Sequence, residues 1–144
     1  MPWHLPASAR ENAVRSSDHP KEWEMNLRKD LSNLNFVGRV QGKRQTYYVF
    51  DGGERYLIAS AAKSKPNAGY FNMVEKGVVE YVLKRIAGEP GITSQQLVQR
   101  ARRTKRIVDS LHALNILYVL VALRKAEIDR KREGVKLYFD IRAA

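Results

Sequence analysis

The densest concentration of chemically capable side chains is the run RARRTKR, in which Arg100, Arg102, Arg103, Lys105 and Arg106 place five cations in seven residues. Guanidinium and ammonium groups crowded in this way are phosphate donors, giving affinity that falls with salt but no reading of sequence. Asp109 and His112 follow at a spacing that would set them beside Lys105 and Arg106 on one helix face. Arg106 and His112, in the middle of that face, are the candidates for base edges. A second cationic triplet is Arg130, Lys131 and Arg132. Each of these residues taken singly is ordinarily a solvated surface charge. The cluster is harder to dismiss, because same-sign crowding costs stability unless an anion relieves it. From Pro90 onward twelve Lys and Arg stand against five Asp and Glu, which is +7 of the total +11.

Catalytic chemistry finds little support. The chain has no cysteine, which removes disulfides, thiolate metal sites and thiol nucleophiles. Its three histidines are not paired at ligand spacing, and no glycine-rich phosphate loop is present. Magnesium nucleases of the PD-(D/E)XK type need a carboxylate two residues before a lysine on a strand; Ala61-Ala62-Lys63 lacks it, and Asp51 and Glu54 read as turn residues. No catalytic residue, metal or cofactor is therefore expected. A hydrophobic fraction of 44% is enough for a real core, and 144 residues suit one domain with an appendage. The longest apolar run, Ile116 to Leu123, is far below a membrane span, and residues 1–17 lack the apolar stretch of a secretory signal. The expected compartment is the cytoplasm, and in a bacterium the nucleoid.

The elements that must hold the cations follow from caps and periodicity. Thr93 with Gln96 forms a capping box, and Ile92 with Leu97 a hydrophobic staple, so a helix is expected through about Ala101. Arg102 to Thr104 would make a turn with Thr104 as the next cap. A second helix over Lys105–Leu114 would bury Ile107, Val108, Leu111 and Leu114, and Asn115 would close it in the left-handed conformation. Ahead of the pair, Asn72 and Glu75 suggest a helix from Met73 to Ala87 ended by Gly88 and Pro90. Earlier still, FVGRV, QTYYVF, RYLIASA and GYFNM read as three or four short antiparallel strands with hairpin turns at Gln41-Gly42-Lys43 and Asp51-Gly52-Gly53. The spacing of Trp23, Leu27, Leu31 and Leu34 predicts a helix over Asp18–Leu34, and residues 1–17 read as a flexible arm.

The tail admits two readings. ILYVLVAL is β-branched and apolar on all sides, and VKLYFDI alternates cleanly. Pairing Leu117, Val119, Val121 and Leu123 with Ile141, Phe139, Leu137 and Val135 gives a long ribbon, with RKAEIDRKREG as an extended basic loop. The competing reading continues the helix to about Lys125 and confines the hairpin to Ile128–Ile141, turning at Arg132-Glu133-Gly134. The ribbon is the favoured one.

The order helix, helix, turn, helix, hairpin over roughly Met73 to Arg142 is similar to the winged helix-turn-helix family of DNA-binding domains. ITSQQL, SLHALNIL and REGVKLYFDI carry the resemblance. It implies that the third helix enters the major groove through Lys105, Arg106, Asp109 and His112, and that Arg130, Lys131 and Arg132 form a basic wing. The fold class expected is α+β: a C-terminal winged helix (three helices plus a β-hairpin; residues 73–144) after an N-terminal helix and small antiparallel sheet (18–72) and the arm (1–17). The expected function is double-stranded DNA binding without catalysis, as a transcriptional regulator or accessory factor. The N-terminal helix and sheet would serve as a dimerisation or ligand-sensing module; homodimerisation is the family's common habit. Two alternatives compete. One is an RNA or single-strand binder stacking bases on Tyr47, Tyr48, Tyr56, Tyr70 and Phe71. The other is a protein-interaction adaptor.

Overall fold

The computed structural model describes residues 2–4, 34–61, 68–104, 106–132 and 134–143. The expected helix over Asp18–Leu34 lies outside them apart from Leu34 itself, as do residues 62–67. Strands β2 (Asn35–Gln41), β3 (Thr46–Asp51), β4 (Arg55–Ala61) and β5 (Ala68–Glu75) form an antiparallel meander, with both hairpin turns where the Gly signals put them. Strand β1 (Pro2–His4) pairs with β5, so the sheet order is β1-β5-β4-β3-β2. That pairing corrects the expectation of an unstructured arm for these three residues. A backbone pairing this short leaves no trace in hydrophobic pattern.

Period-two alternation gives the sheet two apolar faces. Val40, Val49, Ile58 and Val74 point to the helices, while Tyr48, Phe50 and Ala59 are buried on the other side with Phe36 and Phe71. The helices follow: α1 (Lys76–Ile86), α2 (Ser94–Arg100) and α3 (Ser110–Ala122), then the hairpin β6 (Ala126–Ile128) and β7 (Phe139–Ile141). Ile92, just before α2, bridges to Phe139 of β7. The fold is mixed α+β. The boundary expected between residues 72 and 73 falls inside β5, and one apolar core joins sheet and helices across it.

Several expected boundaries move. Helix α1 starts at Lys76, not Met73, because Asn72 and Met73 continue β5, and Glu75 stands at its N-cap without a side-chain cap bond. The Thr93–Gln96 capping box is present as expected, with both reciprocal bonds formed. No helix runs over Lys105–Leu114. Residues 106–108 are non-helical, and Thr104 caps no helix: its hydroxyl donates to the Ala101 carbonyl and accepts the Arg106 N–H at 3.4 Å. The shift leaves Ile107 buried but turns Val108 and Leu111, both expected inside, out to the surface. Helix α3 begins after Asp109, whose carboxylate accepts the His112 N–H at 2.8 Å. Asn115 does not close a helix; it is buried in the middle of α3 and its amide donates to the Leu111 carbonyl at 3.0 Å.

The favoured ribbon is also corrected. ILYVLVAL is the body of α3, and the hairpin pairs Ala126 with Ile141 and Ile128 with Phe139, close to the competing reading. Its sequence lacks a helical stripe because it is enclosed on all sides. Ile116, Leu117, Val119 and Leu120 are fully buried, and the helix packs against β2, β3, β4, β5, α1, α2 and β6.

Candidate nucleic-acid interface

Helix α1 ends in Lys84 and Arg85, one turn beyond Tyr81. After α2 the chain turns through 101–104, and buried Ile107 then pins the segment leading to α3 against the core. This anchoring swings Arg106 back over α1. The guanidinium carbons of Arg85 and Arg106 lie 4.5 and 4.3 Å from the Tyr81 ring centroid. Cation–π attraction of this kind is worth roughly 0.5–1 kcal/mol at an exposed site and fixes both side chains in place. Beside them lies a cleft of about 220 Å³ floored by Val82, Ile86, Leu97 and Ile107. Arg102 and Arg103 are exposed and make no ion pair among the described residues.

The residues expected to touch DNA thus separate into different roles. Arg100 is committed to Glu89 through two bonds of 2.7 and 2.5 Å. The pair holds the Glu89 carboxyl below its usual range and the guanidinium above its own. Arg102, Arg103 and Arg106 stay outward, although Arg106 does so from an extended segment and not from a helix. Lys105 lies outside the described residues. Asp109 is the α3 cap.

His112 does not project from the middle of an exposed face. It sits half-buried in the first turn of α3, and its Nδ1 accepts the Val108 N–H at 3.1 Å. An accepting Nδ1 carries no proton, so the ring is neutral with its hydrogen on Nε2. Burial depresses its pKa, against the opposing pull of Asp109 and Glu75.

In the connection between β6 and β7, Arg130 donates to the Gln41 carbonyl at 2.7 Å. Arg132 reaches Asp129 at 3.5 Å and lies over the Tyr138 ring at 4.8 Å. Lys131 alone of the three extends without a side-chain partner among the described residues; only its backbone N–H is engaged, by Asp129.

Helix α3 itself offers little to a groove. Ser110 and Leu111 are exposed at its start, and from Ala113 to Ala122 no residue is. Strands β2–β5 all pack against it. Sequence reasoning misses Tyr81 and Arg85, although their i, i+4 spacing at the end of a helix is a legible sign of a stacked pair. The aromatic platform expected for unpaired bases is largely internal. Tyr48 is buried, Tyr47 stacks on Tyr118 at 4.4 Å, Lys76 sits over Tyr56, Phe71 packs in the core, and Tyr70 alone is exposed. No helix among the described residues is long and apolar enough to cross a membrane.

Comparison with protein-family models, with curated proteins and with solved structures yields no match.

Proposed function

We propose that this chain is a non-enzymatic double-stranded DNA-binding protein, a regulator or accessory factor, that grips the phosphate backbone through the arginine face around Tyr81. The carrying observation is that Arg85 and Arg106 stack on Tyr81 while Arg102 and Arg103 of the turn after α2 are exposed, none of the four with a carboxylate partner among the described residues. Such a field attracts a polyanion and repels itself in the polyanion's absence. The order α1, α2, α3 and hairpin supports the winged-helix reading. The enclosure of α3 favours a variant in which backbone contacts dominate over insertion of that helix. Homodimerisation belongs to the same proposal only by resemblance.

The test is fluorescence anisotropy with a random-sequence duplex across a salt series. Replacing Arg102, Arg103 and Arg106 together by alanine should weaken binding by about tenfold or more at 0.1 M salt. It should also flatten the log–log salt slope by about 2–3, at roughly 0.9 for each phosphate no longer neutralised. Unchanged affinity and slope in a folded variant would refute the assignment.

A further inference from the structure

The β2–β3 turn, residues 42–45, carries Lys43 and Arg44, both exposed and neither paired among the described residues. The turn is held firmly. Gly42 N–H donates to the Gln45 carbonyl at 2.9 Å, and Thr46 Oγ1 donates to Gln41 Oε1 at 2.7 Å. Gln45 Nε2 donates to the Tyr47 hydroxyl at 3.0 Å, and that ring stacks on Tyr118 of α3. Gly42 is buried so closely that a Cβ there would stand 2.6 Å from Tyr47 Cε2. The hairpin connection is fastened to this turn by the Arg130–Gln41 bond, and the exposed Lys131 is the next residue along it. Asp129, the carboxylate of that connection among the described residues, is already engaged by Arg132 and the Lys131 backbone.

One bond therefore ties the turn that carries Lys43 and Arg44 to the connection that carries Arg130 and Lys131, and the connection's carboxylate among the described residues, Asp129, is spent. Holding like charges side by side costs energy that a bound polyanion recovers. We infer that the β2–β3 turn and the β6–β7 connection form a second phosphate-binding surface, so that the sheet takes part in gripping nucleic acid. The inference rests on the DNA reading above, in which the β6–β7 connection is the expected wing, and extends it to the β2–β3 turn of the sheet, which has no role there. Tyr118, on which the turn is anchored, lies two turns into α3 from its Ser110 end, roughly 12 Å along the helix at 1.5 Å per residue.

The experiment compares wild type, a Lys43→Gln/Arg44→Gln variant, a Lys131→Gln variant and the Arg102/Arg103/Arg106→Ala variant. Each is titrated with a random 24-base-pair duplex over a salt series and, separately, with phosphatidylserine-containing vesicles. The double glutamine variant should bind duplex about tenfold more weakly at 0.1 M salt, with a slope flatter by about 2 and an unchanged thermal midpoint. Lys131→Gln should flatten it by about 1. If the arginine variant loses affinity while both glutamine variants match wild type, the second surface is overturned and the DNA reading stands. If wild type fails to bind duplex, both fall. Vesicle binding that depends on Lys43 and Arg44 without duplex binding assigns the patch to lipid and also overturns the inference.

Discussion

Helix α3 and the arginine-bearing turn before it adjoin in sequence and differ in every physical respect. The helix is apolar over most of its length and, past its first turn, has no exposed residue. The turn is polar, exposed and cationic, and its geometry depends on anchors such as Ile107 and Tyr81. A helix that is hydrophobic all round belongs in an interior. The exposed Arg102 and Arg103 should therefore tolerate a change of charge without disturbing the packing, whereas the buried positions of the helix should not tolerate a change of size.

Substitutions test this division in descending order of effect. Leu117→Ala, in the fully buried centre of α3, should cost about 2–5 kcal/mol in urea unfolding, while DNA affinity per folded molecule stays the same. A drop in affinity at constant fold would show that α3 acts in binding after all. Gly42→Ala forces a methyl against Tyr47 and the Tyr118 hydroxyl, and should cost roughly 1–3 kcal/mol by thermal denaturation. Thr93→Ala removes the capping box and should cost about 1 kcal/mol, read the same way. The Arg102/Arg103/Arg106→Ala variant should cost no more than about 1 kcal/mol at Arg106, which loses its Tyr81 contact, and shift stability by at most about 0.5 kcal/mol at each of the other two, while its binding falls about tenfold or more, the inverse of Leu117→Ala.

The smallest effect sits where the two regions meet. His112 belongs to α3 and its ring holds the Val108 N–H of the preceding segment. Because burial lowers its pKa in the fold, the unfolded chain binds the proton more readily. Its contribution to stability is therefore full above its ordinary value of 6.5 and declines as pH falls from there towards the depressed folded value. Asp51 and Glu89, held low by Lys76 and Arg100, add their own loss only at more acidic pH. Urea midpoints at pH 7.5 and 5.5 should differ modestly in wild type and converge in His112→Asn, whose carbonyl can replace the acceptor without titrating.

The legibility of the sequence follows the same division. The four strands β2–β5 are readable because each has two distinct faces and a turn signal at its end. The capping box is readable because it is a local pattern of side chains. Helix α3 is not, since a segment enclosed on all sides has no periodicity to separate helix from strand. Asn115, a common helix terminator, conceals the continuation by bonding to Leu111 within the helix. The available signal is Asp109, a good N-cap immediately before SLHALNIL, masked by the cations ahead of it that make Lys105 look like a helix start. Among the site residues, the charge pattern finds the cluster. Only three-dimensional contacts reveal that Arg100, Arg130 and Arg132 are engaged internally while Tyr81 and Arg85 complete the face.

The bridge between Ile92 and Phe139, reinforced by the Gly91 N–H bond to Asp140 across 49 positions, carries a consequence for synthesis. The partners that close off one side of α3 emerge from the ribosome well after the helix itself. In the interval a greasy cylinder has the sheet, α1 and α2 to shelter it, but the side that β6 and Phe139 close stays open. Late-forming distant contacts of this type slow folding and expose sticky surface to neighbouring chains. Nascent chains stalled before residue 139 should therefore be the form of this protein most dependent on chaperones.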